Sequence, residues 1–142
     1  MWVARLIDKI FRNRSQEKAN ATTIAKGRTA EDMAGSYLKS VGYRIIERKF
    51  RCKVGEIDLI AWHKEDLVFV EVKSTHSPDG FDPILQVNAA KRRKLIRAAK
   101  FYITRCFQKE PNSRFDVVAV RMTAEPNIEI IQNAFDAEGR PV

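Results

Sequence analysis

The chain has 142 residues, of which 44% are hydrophobic, with a formal net charge of +8 and a pI near 9.7. That length supports one domain with an ordinary core, and the basic balance points to a polyanionic partner: nucleic acid, a ribosome or an anionic membrane. Cys52 and Cys106 are the two cysteines; without a Cys-x-x-Cys pair they argue against a zinc ribbon and a disulfide scaffold and fit reduced thiols in the cytoplasm, and no apolar run approaches a membrane span.

Residues 1–26 read as an N-terminal amphipathic helix and a linker. Trp2, Leu6 and Ile10 share one side, supported by Val3, Ile7 and Phe11, while Arg5, Lys9, Arg12 and Arg14 supply positive charge. Charges interrupt the apolar region and no small-residue cleavage site follows, so this is not a signal peptide. The segment over residues 1–18 suits a helix packed on the domain, a swapped arm of a dimer, or a surface helix for a membrane or protein partner. Ser15 to Lys26 is polar and Ala-rich, and reads as a linker.

Thr29-Ala30-Glu31-Asp32 resembles a capping box. Ala30, Met33, Ala34, Tyr37, Leu38 and Val41 follow helical spacing, and Gly42 ends the helix. Glu31 lies one step off the apolar stripe. It is either a first-turn acid favoured by the helix dipole or a carboxylate leaning over a sheet. Tyr43 to Arg51 alternates and reads as a strand joined to the next through Cys52-Lys53-Val54. Its Arg44, Arg48, Lys49 and Arg51 are expected to be exposed, either touching phosphates or keeping an edge strand soluble.

Gly55 to Trp62 and Leu67 to Lys73 read as two strands joined at His63-Lys64-Glu65-Asp66. If Trp62 faces Leu67, then Asp58 falls opposite Glu71, and Glu56 opposite Lys73, all on one face. Ile57, Leu59, Val70 and Val72 form the other, apolar face. Two carboxylates across a strand pair repel, and burying them is costly unless they are paired or metal-bound. A divalent cation between Asp58 and Glu71 removes both problems, and magnesium suits oxygen ligands and retained waters. Lys73 then stands ready to orient a water or stabilise a phosphate, which is equipment for metal-assisted phosphodiester hydrolysis. Structural charge pairing on a hairpin is the other reading of the same residues.

Ser74 to Pro83 reads as a loop in which His76 either assists or stands by. Leu85 to Phe107 reads as the longest helix, with Leu95, Ala98, Ala99, Tyr102 and Cys106 as its apolar stripe. Its first half carries Lys91, Arg92, Arg93, Lys94, Arg97 and Lys100. That density suits phosphate neutralisation, which would make binding strongly salt-dependent; a solvated helix face is the alternative. Arg114 to Met122 and Asn127 to Gln132 read as strands, the first covered on both faces. Asp116 is expected to make a structural hydrogen bond or ion pair, and Phe135 to tuck against the sheet.

The run Gly55-Glu56-Ile57-Asp58-Leu59-Ile60-Ala61, followed by Val68-Phe69-Val70-Glu71-Val72-Lys73, closely resembles the signature of the YraN-type uncharacterised family. That family is assigned to the PD-(D/E)XK nuclease superfamily and is similar in fold to Holliday-junction resolvases. The resemblance covers about Gly27 to Phe135. It implies that Asp58 and Glu71 are the motif acids, that Lys73 is the motif lysine, and that Glu31 matches a first-helix glutamate of the resolvase-like branch. It also implies that the long helix packs beside the active site, which adds Gln86 and Lys91 to the candidates. The chain departs from the pattern in three places: no proline precedes Asp58, Thr75 stands where relatives often carry arginine, and residues 1 to about 25 have no counterpart.

The expectation is an α/β restriction-endonuclease-like domain over residues 27–136, a central mixed sheet flanked by helices in αβββαβ order, then a further strand and a polar tail over 137–142. The expected activity is metal-dependent cleavage of DNA, with branched or recombination and repair intermediates suggested by analogy alone. Catalysis falls to Asp58, Glu71, Lys73 and Glu31, with magnesium or manganese on Asp58 and Glu71. Gln86, Lys91, Arg92, Arg93, Lys94 and Arg97 would contact nucleic acid, DNA rather than RNA. A homodimer is open, and a cytoplasmic location is expected. The alternative is a non-catalytic nucleic-acid-binding protein on the same scaffold.

Overall fold

The Thr29 hydroxyl accepts the backbone N–H of Asp32 at 3.2 Å and opens helix α1, Ala30–Ser40. The helix closes at Val41, whose N–H returns to the carbonyls of Tyr37 and Leu38, and Gly42 follows with φ +98°. The computed structural model describes residues 29–77 and 79–142, so the expected helix over 1–18 and its linker lie outside the described residues.

Five strands form one sheet in the order β1-β2-β3-β4-β5. They are β1 Tyr43–Cys52, β2 Gly55–His63, β3 Asp66–Thr75, β4 Ser113–Arg121 and β5 Asn127–Phe135. Neighbours pair antiparallel except β3 and β4, which are parallel. A parallel pair needs a crossover, and the helices between β3 and β4 supply it. The sheet is therefore mixed, with helices on both faces, as a restriction-endonuclease-like core requires.

The segment read as a single helix over Leu85 to Phe107 is two helices: α2, Pro83–Gln86, and α3, Ala89–Cys106. The break has a local cause. Asp82 caps α2 by accepting from Ile84 and Leu85, and Asn88 starts α3 by accepting from Lys91 at 2.9 Å. The hairpin connection is also tighter than read from the sequence. His63 and Asp66 are paired, leaving Lys64 and Glu65 as a two-residue turn with Lys64 at φ +55°. The last strand continues to Phe135, whose ring stacks on Phe115 with centroids 4.7 Å apart.

The sheet separates two apolar layers. Leu38 and Ala34 of α1 pack with Leu59, Val68, Val70 and Val118. On the other face Leu95, Ala98, Ala99 and Tyr102 of α3 pack with Ile60, Phe69 and Val117. Removing a buried ring such as Phe69 would cost about 3–5 kcal/mol. The C-terminal tail folds back: Pro141 bridges Phe135, and the Gly139 carbonyl accepts from Arg92. Among the described residues no helix is long and apolar enough to cross a membrane.

Candidate active site

Trp62 faces Leu67, and the pairing of β2 with β3 runs from there to Leu59 opposite Val70. The next position would be Asp58 opposite Glu71. There the ladder ends, and the Asp58 carboxylate instead accepts the backbone N–H of Val72 at 2.8 Å. A side chain has replaced the strand at that rung. β3 meanwhile stays paired with β4 as far as Thr75, so its continuation is held firmly while β2 departs.

Glu71 is 4% exposed, yet two lysines reach it. Its Oε1 lies 3.5 Å from Lys73 Nζ and 3.4 Å from Lys91 Nζ. Lys73 follows two residues later on the same side of β3, and Lys91 comes from the first turns of α3, which lies across that face. The other oxygen, Oε2, is buried without a hydrogen-bond donor among the described residues. Asp58 is within hydrogen-bonding reach of both Glu71 and Glu31. Burial first, and the Glu71 charge second, push Asp58 from its ordinary 3.8 up to about 6, although the Val72 N–H pulls it down. Glu31, at the start of α1, is raised by partial burial and then by Asp58, against the opposing pull of Lys49. Lys49 Nζ lies 3.6 Å from Glu31 Oε2.

The acids thus form a chain, with Asp58 joining a carboxyl from each helix-covered face of the sheet. No three His, Cys, Asp or Glu side chains among the described residues gather as one metal-holding cluster. The donor set nonetheless fits a hard divalent cation. Asp58 and Glu71 repel each other, and Glu71 keeps an unsatisfied buried oxygen. Magnesium is commonly held by one or two carboxylates with waters completing its shell.

The structure brings together Asp58, Glu71, Lys73, Glu31 and Lys91, and it leaves other expected residues elsewhere. Gln86 is exposed at the end of α2. Arg92 has structural partners: its Nε donates to the Gly139 carbonyl at 2.6 Å and Nη1 to the Val87 carbonyl at 2.5 Å. Arg93, Lys94 and Arg97 are exposed on α3. Glu56 does not face Lys73; it pairs with Arg51 on β1 at 3.4 Å. Ile57 does not share the face of Leu59 either. It joins the α3-side core, because the alternation of β2 breaks at Asp58. Arg48 is half-buried rather than exposed, 3.9 Å from Asp32. His76 is exposed after β3.

Asp116 is fully buried and structural. It accepts from Tyr43 Oη at 2.8 Å, Arg114 Nε at 3.0 Å and the Asn133 N–H at 2.9 Å. Arg114 also reaches Asp66 at 2.8 Å and His63 Nδ1 at 2.7 Å, while the Tyr43 ring stacks on His63 at 4.1 Å. This network fastens the hairpin turn to β4.

Lys49, expected to be exposed and either to touch phosphates or to keep an edge strand soluble, is exposed and also pairs with Glu31, a contact the sequence did not indicate. Nothing in the alternation of β1 marked it, because its position depends on a backbone distortion.

A sequence model of the uncharacterised protein family UPF0102 matches residues 30–120, from the start of α1 almost to the end of β4. A UPF0102 protein of Syntrophotalea carbinolica is 40% identical over 117 residues, covering 82% of this chain and 95% of the relative. One from Geobacter sulfurreducens is 42% identical over 112 residues, 78% and 88% of the two chains. One from Syntrophus aciditrophicus is 43% identical over 119 residues, 82% and 94%.

Proposed function

The chain belongs to the uncharacterised protein family UPF0102, and from that premise we propose that it is a metal-dependent nuclease that hydrolyses phosphodiester bonds in DNA. The observation that carries this reading is the juxtaposition of Asp58, Glu71 and Lys73 where β2 and β3 part, with a donorless buried oxygen on Glu71. A buried carboxylate oxygen beside a second carboxyl that burial and its neighbour raise to about 6 is a donor pair suited to a hard cation.

In this reading Asp58 and Glu71 hold magnesium or manganese. The ion would supply a bound water of lowered pKa and offset charge building on the phosphate. The protein's own groups do the rest. Asp58 is ionised and able to bind a cation above about pH 6. The Val72 N–H fixes its orientation. Lys91 and Lys73 both pair with Glu71 inside the fold. With a cation on Glu71, Lys73 is released from part of that duty and can orient the attacking water or a phosphate oxygen. Glu31 completes the acidic side from α1. Arg93, Lys94 and Arg97, exposed along α3, would neutralise neighbouring phosphates. DNA rather than RNA, and branched intermediates in particular, follow from the resemblance to resolvases, as does a two-fold dimer on a symmetric junction.

The test is cleavage of labelled linear, flapped and four-way-junction DNA with magnesium, with manganese and with chelator, with Asp58→Asn and Lys73→Ala beside the wild type. The expected result is metal-dependent cutting lost in both variants. Tight, salt-sensitive binding without cutting would replace this reading with a non-catalytic binding protein on the same scaffold.

A further inference from the structure

Three described non-glycine residues have positive φ: Lys49, Lys64 and Asn133. Lys64 occupies the two-residue hairpin turn, where that conformation is ordinary. Asn133 is a residue type that tolerates it. Lys49 has neither reason, because it lies inside the paired length of β1 at φ +49°. The consequence is visible on either side. Arg48 turns toward α1 and Asp32, whereas Phe50 turns to the opposite face and packs against Phe101 and Tyr102. Residues two apart in a regular strand would share a face.

The neighbouring strand breaks at the same level. Arg48 pairs with Leu59 and Phe50 with Ile57, so Lys49 stands across from Asp58. Leu59 belongs to the core layer under α1 and Ile57 to the layer under α3. Both strands reverse their alternation together, and the two residues at the reversal are a site carboxylate and a lysine. The lysine's Nζ lies 3.6 Å from Glu31 Oε2, and its side chain is 59% exposed, so its charge stands at the solvent margin of the site. Lys73 and Lys91 pair with Glu71, on the α3 side. Glu31 brings negative charge to the α1 side, where Lys49 pairs with it at the solvent margin. Backbone held in a sparsely populated region tends to mark functional positions. A compact ammonium serves phosphate as a point charge.

We propose that Lys49 is a substrate-positioning residue that contacts a phosphate of the bound strand on the Glu31 side of the site. This rests on the nuclease reading of that site. In the free protein the ammonium pairs with Glu31; in the complex it bridges Glu31 and the phosphate, setting the strand's position over Asp58.

The experiment uses the full chain and labelled duplex and flapped DNA, with chelator present so that binding is read without cleavage. Affinity is measured over a range of salt for wild type, Lys49→Asn, Lys49→Arg and a remote control, Lys109→Asn. Asparagine accepts positive φ, so Lys49→Asn should keep the wild-type melting temperature; Lys49→Gly serves equally if it does not. The expected result is a salt slope lower by about 0.9 in Lys49→Asn, restored in Lys49→Arg and unchanged in Lys109→Asn. In cleavage assays KM should rise in Lys49→Asn while kcat holds. A wild type that binds DNA while Lys49→Asn keeps the same slope and affinity overturns the contact alone. A wild type that binds neither DNA overturns the nuclease reading and the contact with it.

Discussion

Asp58→Asn should make the metal-free protein more stable at neutral and alkaline pH, although it removes the central acid of the site. Asparagine has the same shape, and its side-chain oxygen can still accept the Val72 N–H. What disappears is a carboxylate that burial and Glu71 hold at about 6 instead of 3.8. A raised acid costs the fold nothing while it is protonated in both folded and unfolded chains. The cost grows as pH rises from about 4 to about 6 and is complete above that, at 1.36 kcal/mol per pK unit. The full difference is about 3 kcal/mol at pH 8, on the order of 10 °C in melting temperature for a domain of this size. The assay is urea and thermal unfolding of both proteins with chelator from pH 4 to pH 8.5. The two should converge near pH 4 and separate as pH rises. Adding magnesium should then stabilise the wild type and leave Asp58→Asn unmoved. A variant that is no more stable at pH 8, or a gap independent of pH, would refute the account of Asp58 as an electrostatically strained ligand.

Removing Arg114 with an alanine leaves Asp116 buried with its principal charge partner gone, so denaturation should show a loss of about 3–5 kcal/mol; a loss below about 1 kcal/mol would mean that Tyr43 and the Asn133 N–H suffice. Substituting Arg93, Lys94 and Arg97 together by glutamine should lower the salt slope of DNA binding by up to about 2.7 while leaving the melting temperature within a few degrees, since all three are exposed. Arg92→Gln should do the reverse, because its guanidinium holds the tail carbonyl of Gly139 and caps Val87: stability falls and the salt slope stays. If cleavage is found, its rate should climb through about pH 6 as Asp58 ionises, and a profile flat from pH 5 to 7 would separate catalysis from that group.

The sequence alone determined a good deal of this arrangement, because the determining signals are local. Thr29 and Gly42 bounded α1, period-two alternation marked the strands, and the Trp62–Leu67 register placed Asp58 level with Glu71. That register survived an error in the turn length, since shortening a hairpin loop symmetrically leaves the same residues opposed. The Asp82-Pro83 and Asn88 caps were also in the sequence; helical periodicity running through them hid the break between α2 and α3. Other features needed the folded chain. Alternation cannot foretell where a strand stops alternating, so the reversal at Lys49 and Asp58, the departure of Ile57 and the pairing of Glu56 with Arg51 were not legible. Nor can composition separate basic residues of one helix by task. Lys91 reaches Glu71 and Arg92 reaches the C-terminal tail only because the crossover lays α3 over the sheet, chiefly against β2, and β5 returns the tail beside it, contacts set by long-range packing.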